Sequence, residues 1–403
     1  MRLHRNLVFA AVDALQLIFN EQKQADKVLK DVLKRDKRWG ARDRSFIAET
    51  TYDIVRWKRL YAEIAEVKAP YSRPNLFRLF AVWATLKGIS LPDWKQLEDT
   101  PTRRIKGRFD EFSKVRAIAE SIPDWLDEVG YKELGENWDK ELHALNKQAS
   151  VILRANSLKT DLKSLRNALA EEDVDTLTLT KYPDALQLAE RQNVFITAAF
   201  KAGLFEVQDA ASQCVAPFLD VQPGMRVIDA CAGAGGKSLH LAAIMQNKGQ
   251  LIAMDIYEGK LQELKRRARR AGVHNLEARV ISSTKDIKRL YGKADRVLID
   301  APCSGLGTLR RNPDIKWKIQ ADFLNDVRDT QQSLLQQYSK MLKPGGKLVY
   351  ATCSVLPSEN QKQVNTFLAS EAGKQFSCSK ELTCSPSKDG HDGFYIAQLT
   401  HNA

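Results

Sequence analysis

The chain reads as a doubly wound parallel α/β domain preceded by a helical half, with a small α/β module between them. Three observations predict this. From about residue 206 strand-like and helix-like segments alternate in a βαβ rhythm. A glycine-rich turn follows the first strand of that series directly. Before about residue 120 the apolar residues recur with helical spacing instead.

Taken in order, Leu7, Val8, Ala11, Leu15, Ile18 and Phe19 share one helical face. Asp13 and Gln16 interrupt that run and no small-residue cleavage site follows, so it is a helix rather than an export signal. Further amphipathic stretches cover 25–33, 44–60 and 76–86, broken at Gly40, Pro70–Pro74 and Gly88–Pro92. A helical bundle over 1–120 is expected. Between 121 and 205 the pattern is mixed: helices at 123–129, 137–146 and 161–171, and strands at 151–155, 176–180 and 186–188. The α/β domain, 206–403, takes strands at 226–230, 250–254, 277–281, 296–299 and 347–351. Helices fit at 237–245, 258–271, 322–342 and 358–368, and Phe394–Leu399 reads as a late edge strand.

The 403 residues carry 62 Lys+Arg against 50 Asp+Glu, a formal charge of +12 that favours a polyanionic partner, most often nucleic acid. Three basic knots stand out: Arg103, Arg104, Lys106 and Arg108; Lys265, Arg266, Arg267, Arg269 and Arg270; and Arg310 with Arg311 in a loop. The second lies on a helix and reads as a solvated face. No long charge-free apolar run occurs, so a soluble, non-membrane protein is expected; with no export signal it is expected in the cytoplasm, and it is expected as a monomer. Six scattered cysteines without C-x-x-C spacing are expected as free thiols. Cys378 and Cys384 are read as structural and partnerless, and His240 as a packing residue. His4, His143, His240, His274, His391 and His401 form no ligand pair, and no metal is expected.

Two cysteines sit at strand ends: Cys303 in Asp300-Ala301-Pro302-Cys303-Ser304-Gly305 and Cys353 in Thr352-Cys353-Ser354. Carboxyl ends of parallel strands face the ligand crevice, so both thiols are expected over one site, where a thiolate can add to an electron-poor ring. The turn Cys231-Ala232-Gly233-Ala234-Gly235-Gly236-Lys237-Ser238 has three readings. A phosphate loop lacks its leading glycine, since Cys231 stands there, and a dinucleotide fingerprint lacks its third, since Ser238 stands there. An S-adenosylmethionine (SAM) site remains. Asp255 at the end of the second strand suits a ribose, in SAM or in NAD, or caps the helix before Glu258. The paired thiols favour SAM. A zinc deaminase is set aside because P-C-x-x-C fails at Leu306.

These residues resemble the Sun/RsmB-type family of RNA cytosine-5 methyltransferases. The resemblance covers about 206–403 through Gln208-Asp209-Ala210-Ala211-Ser212, the glycine loop, the Pro-Cys and Thr-Cys motifs, Arg310-Arg311-Asn312-Pro313-Asp314 and Asp392-Gly393-Phe394-Tyr395, in the family's order. Residues 1–120 resemble the family's NusB-like all-α domain more weakly, through Arg42-Asp43-Arg44 to Arg56-Trp57, and 121–205 resemble its small RNA-binding module by position. The resemblance implies a Rossmann-like class I SAM methyltransferase domain acting on ribosomal or transfer RNA, ribosomal RNA above all. It implies Cys353 as nucleophile and Cys303 as the cysteine that assists release; the residues alone allow either order. Asp300 is expected at the cytosine edge or the cofactor, and Lys237 at the methionine carboxylate or the loop. Arg310 and Arg311 are expected on RNA phosphates. The chain departs from the family's pattern at Ala234, where proline is usual, and at Ser283, which stands where an acid contacts adenine. A cofactor site of 231–237, Asp255, Ser283 and Asp300 follows. The competing readings are an RNA-binding assembly factor without turnover and a SAM enzyme acting on a small amine.

Overall fold

A computed structural model describes residues 2–98 and 100–402. The chain divides into two compact units, one of residues 1–147 with 309–321, the other of 148–308 with 322–403. Among the described residues no helix is long and apolar enough to cross a membrane.

The first unit is helical. Its principal helices are Arg5–Phe19, Ala25–Val32, Ala41–Arg56, Lys58–Ala65, Arg73–Leu86 and Thr102–Phe112. They bury Leu15, Ile47, Ile54, Leu76, Phe77 and Phe80, the apolar stripes that the periodicity marks. Each such side chain contributes about 1.5–3 kcal/mol on burial. Ser72 caps Arg73–Leu86 by accepting from the Asn75 amide at 3.3 Å, and Pro74 sits in its first turn, where no amide is missed. The stretch expected as one helix, 44–60, is two. The backbone leaves helical geometry at Trp57 (φ −102°, ψ 23°). Immediately before the break, buried Arg56 donates to the carbonyls of Leu309 (3.1 Å) and Arg310 (2.9 Å).

Residues 309–321, expected within the 206–403 domain, belong to this helical unit. Four contacts explain the grouping. Trp317 Nε1 donates to the Val55 carbonyl at 2.7 Å, and Asp314 accepts from the Ala25 amide at 3.0 Å. Lys318 donates to the Lys23 carbonyl at 2.8 Å. Lys316, fully buried, donates to Asn146 Oδ1 at 3.0 Å, and burial holds its amine well below its ordinary value.

The second unit holds two sheets. The smaller is antiparallel, built from β1 (Ile152–Ala155), β2 (Thr176–Thr178), β3 (Ala185–Leu188) and β4 (Phe205–Val207) in the order β2-β3-β1-β4. Its helix, Leu162–Ala170, is capped by Asp161, which accepts from the Ser164 amide at 2.8 Å. The larger sheet contains β5 (Arg226–Asp229), β6 (Gln250–Asp255), β7 (Leu276–Val280), β8 (Ala294–Asp300), β9 (Leu342–Thr352), β10 (Phe376–Cys384) and β11 (Phe394–His401). Their order is β10-β11-β9-β8-β5-β6-β7; β5 to β9 are parallel, and β11 runs antiparallel to both its neighbours. Val297, Leu298 and Ile299 of β8 are buried on both faces, as continuous apolar runs in parallel strands require.

One strand differs from expectation. Phe394–His401 is not an edge: it lies between β9 and β10, and β10 is the edge. β10 carries Ser377, Ser379, Lys380 and Glu381 among its apolar residues, a polar dressing suited to an open edge but weak as a strand signal.

Candidate active site

The strand order reverses between β5 and β8, so the crevice for a ligand opens at their carboxyl ends. A cavity of about 500 Å³ lies there. It is lined by Cys231, Ala232, Gly233, Ala234, Gly236 and Lys237 of the glycine loop, by Asp255 at the end of β6, and by Asp300 at the end of β8. Gly235 lies behind the loop: its φ of +87° is left-handed, and a Cβ there would come 2.6 Å from Leu264. Asp255 is buried, its Oδ2 accepting from the Gly233 amide and its Oδ1 from the Tyr257 amide, each at 2.8 Å. It thus serves the local turn and still presents a lone pair on each oxygen to the cavity.

The loop is also held by polar side chains around it, Gln208 and Arg267 among the cavity lining. Arg154 of β1, buried, donates to the Gly236 carbonyl at 2.8 Å and pairs with Gln208. Arg267 donates to the Ala234 carbonyl at 2.9 Å, and Glu206 of β4 pairs with both Arg267 and Arg270. Two arginines of the basic knot on helix Glu258–Ala271 are therefore structural, while Lys265, Arg266 and Arg269 stay exposed. At Ala234 the guanidinium supplies a restraint where the family's pattern has proline.

Ser283 is not part of the cavity lining among the described residues. It is the N-cap of helix Thr284–Lys288, and Asp286 turns back to accept from the Ser282 (3.1 Å) and Ser283 (2.9 Å) amides. Its hydroxyl donates to Asp286 Oδ2 at 3.2 Å, and its place outside the cavity lining corrects the expected adenine contact. The lining at this end is Ile256, Tyr257 and Ile281, with Lys260 over the Tyr257 ring at 4.5 Å. Ile256 and Tyr257 are 61 % and 57 % exposed, an apolar surface for a flat ring to cover.

At the reacting end Lys237 Nζ and Asp300 Oδ2 are 2.7 Å apart. Burial works to lower Lys237, but the charge and hydrogen bond of Asp300 outweigh it and hold the ammonium above its ordinary value, with Cys353 acting in the same direction. Behind them Asp229 accepts from the Ser238 hydroxyl at 2.6 Å; burial, with the charge of Asp300 adding, pushes its carboxyl up to about 7.

The sequence-predicted cysteines meet: Cys303 Sγ and Cys353 Sγ are 3.3 Å apart, both partly exposed. β8 and β9 pair in parallel with Asp300 opposite Ala351, so the two short turns beyond them start level. The hydrogen bond to Cys353, then burial, then the charges of Cys353 and Glu359 push the Cys303 thiol well above its ordinary value. Cys384 is buried and lies in the same apolar cluster as the partly buried Cys214, a neighbour that spacing did not reveal. His240 is buried, and burial holds its ring down to about 4, as suits a packing residue.

Arg310 is only 9 % exposed, and its carbonyl accepts from Arg56. Of the two arginines expected on phosphates, Arg310 is thus packed away and Arg311 is half-buried. The reason is that 309–321 packs as part of the helical unit rather than as an open loop.

The profile of the 16S rRNA methyltransferase RsmB/F family matches residues 216–400, and that of the RsmF/B-like ferredoxin-like domain matches 122–195. The chain is 35% identical over 296 residues to a probable ribosomal RNA small subunit methyltransferase B of Synechocystis, covering 69% of this chain and 66% of that protein. It is 32% identical over 309 residues to the ribosomal RNA small subunit methyltransferase B of Vibrio vulnificus, covering 75% and 72%. The solved structure of PH0851 superposes with a TM-score of 0.84 at 25% identity over 99% of both chains. The glycine cradle, Asp255 and the apolar shelf of Ile256 and Tyr257 fit SAM in a cavity of suitable size. The chain belongs to the RsmB/F family of SAM-dependent 16S rRNA methyltransferases.

Proposed function

We propose that this protein methylates carbon-5 of a cytosine in ribosomal RNA through a covalent bond between Cys353 and carbon-6. The observation that carries the reading is the pair of thiols 3.3 Å apart, one beyond each of two adjacent strands, the first of which, β8, ends at the cofactor cavity with Asp300. Both bacterial relatives are named for small-subunit ribosomal RNA, which supports the substrate class.

Carbon-5 of cytosine is a weak nucleophile. Addition of the Cys353 thiolate to carbon-6 forms an S–C bond and places an electron pair on carbon-5. SAM supplies an electrophilic methyl group when bound. Once carbon-5 carries the methyl group, its proton leaves to a base and the S–C6 bond breaks, returning the thiolate. Cys303, whose thiol stays protonated, assists that release. Asp300, fixed by Lys237, offers its remaining lone pairs to the cytosine amino edge. The target base has to be flipped out of its strand to reach the thiols, and Arg311 holds a phosphate of the bound RNA.

The test compares wild type, Cys353→Ala and Cys303→Ala on precursor and mature ribosomal RNA with methyl-labelled SAM, read by nucleoside mass spectrometry and denaturing gels. The expected result is 5-methylcytidine from wild type, none from Cys353→Ala, and a trapped protein–RNA adduct from Cys303→Ala. Absence of 5-methylcytidine on every ribosomal RNA would favour an assembly factor without turnover. An adduct trapped by Cys353→Ala instead would exchange the two roles.

A further inference from the structure

Both cysteines lie on short turns, and turns do not by themselves hold two sulfurs in contact. A buried carboxylate joins these two. Glu359 is completely buried, in a one-turn 3₁₀ helix at 357–359. Its Oε2 accepts from the Ser304 amide at 2.7 Å, and its Oε1 accepts from the Ser304 and Ser354 hydroxyls at 2.5 Å each. Ser304 follows Cys303 and Ser354 follows Cys353. Gln331 donates to Glu359 Oε2 (3.3 Å) and to the carbonyl of Pro302 (2.9 Å), the residue before Cys303. Next in the chain, Asn360 accepts from the hydroxyl of Thr352, the residue before Cys353, and donates to the Ser354 carbonyl at 3.0 Å. Cys353 is thus tied on both flanks to 359–360, and Cys303 on one flank directly and on the other through Gln331.

We propose that Glu359 is the positioning residue for both thiols: its buried carboxylate locks the Cys303 and Cys353 turns into one rigid piece and keeps the sulfurs in contact. A carboxylate suits this place because all four groups facing it can donate; an apolar side chain would leave them buried and unpaired. Its negative charge also contributes to holding Cys303 protonated. The inference rests on the two-cysteine reading proposed above, yet its test runs on the free protein and does not need methylation.

The decisive variant is Glu359→Gln, which keeps the shape but replaces one acceptor with a donor and removes the charge. Three readouts are taken, without RNA for the first two. With diamide as oxidant, the two thiols lose two electrons and two protons to form a disulfide while diamide is reduced to its hydrazine. In wild type this should be fast; in Glu359→Gln it should slow by about tenfold as the sulfurs separate. Alkylation of Cys303 by iodoacetamide across pH, read by peptide mass spectrometry, should begin at lower pH in the variant. On ribosomal RNA, kcat should fall roughly 100-fold with KM for SAM nearly unchanged, because misplacement acts on the reacting atoms alone. SAM affinity measured by calorimetry shows that each variant is folded. Should Glu359→Gln fold poorly, Ser354→Ala frees the Cys353 turn from Glu359 while leaving Glu359 on the Ser304 amide and hydroxyl, and should slow the disulfide with a smaller move of the Cys303 alkylation profile than in Glu359→Gln. Wild-type disulfide and alkylation behaviour in folded Glu359→Gln would overturn the proposal. Failure of wild type to form 5-methylcytidine, with the thiol readouts as expected, would overturn the methylation reading instead.

Discussion

Replacing Gly235 by alanine separates the backbone geometry of the cofactor loop from its contact with the ligand. Gly235 sits at φ +87°, beyond the small left-handed region open to side-chain-bearing residues. Forcing alanine there costs about 1–2 kcal/mol. Its Cβ would also come 2.6 Å from Leu264 Cγ and 3.0 Å from Cδ1, and Leu264 is itself completely buried. Overpacking of this kind adds about 1–3 kcal/mol. The sum, roughly 2–5 kcal/mol, is distributed between a less stable sheet unit and a displaced loop. If all of it fell on SAM binding, even the lower figure would raise Kd about 30-fold. Gly233→Ala is the control. Gly233 has φ +54°, and nothing lies within 4 Å of its added Cβ, which faces the cofactor cavity. Alanine there carries the same left-handed cost of about 1–2 kcal/mol but no overpacking, so the protein should lose SAM affinity while melting between wild type and Gly235→Ala without ligand. Thermal unfolding with and without SAM, together with calorimetric Kd values, checks both. An apo Gly235→Ala protein melting with wild type, or a Gly233→Ala protein melting as low as Gly235→Ala, would refute the reasoning.

Further expectations follow from the same geometry. Asp229 is raised to about 7 by burial, above the usual value of an unfolded carboxyl, so its contribution to stability is present below about pH 4 and is lost as pH rises through 7. Asp229→Asn should flatten that decline, seen as a smaller drop in melting temperature between pH 4 and 7. Arg267→Ala removes the guanidinium from the Ala234 carbonyl, and KM for SAM should rise about tenfold with kcat within about twofold; an unchanged KM would show that the loop holds itself. Arg311→Ala should reduce the salt slope of RNA binding by about one. Arg310→Ala should lower the melting temperature and leave that slope alone, since the side chain is buried. Equal loss of slope in both variants would restore the open-loop reading.

The parallel strands were legible because burial on both faces demands unbroken apolar runs, as in Arg296–Ile299. The glycine loop and the two cysteines were legible because backbone conformation and thiol chemistry restrict residue type. The shortfalls have physical reasons. β10 alternates too weakly because its outer edge faces solvent. Ser283 was offered to adenine because a hydroxyl is ambiguous in sequence, and the capping partner, Asp286, settles its use only in three dimensions. Arg310 looked like a phosphate ligand because burial by residues more than 250 positions away leaves no local mark. Glu359 escaped notice for the same reason: its partners come from three separate segments, and none has a spacing that announces the others.

The discontinuous make-up of the helical unit sets a timetable for synthesis. Residues 1–147 emerge first, but Trp317, Lys316 and Asp314, which satisfy the Val55 carbonyl, Asn146 and the Ala25 amide, come only after the intervening segment 148–308. At about 5–20 residues per second, that segment keeps the early helices waiting roughly 10–30 s for their completing piece. The customary order, in which an amino-terminal domain finishes before the next begins, is replaced here by one in which β5 to β8 are already made when the helical unit closes. A fragment ending at residue 147 should therefore show exchange-labile amides at Ala25 in deuterium labelling, and supplying residues 309–321 as a peptide should protect them.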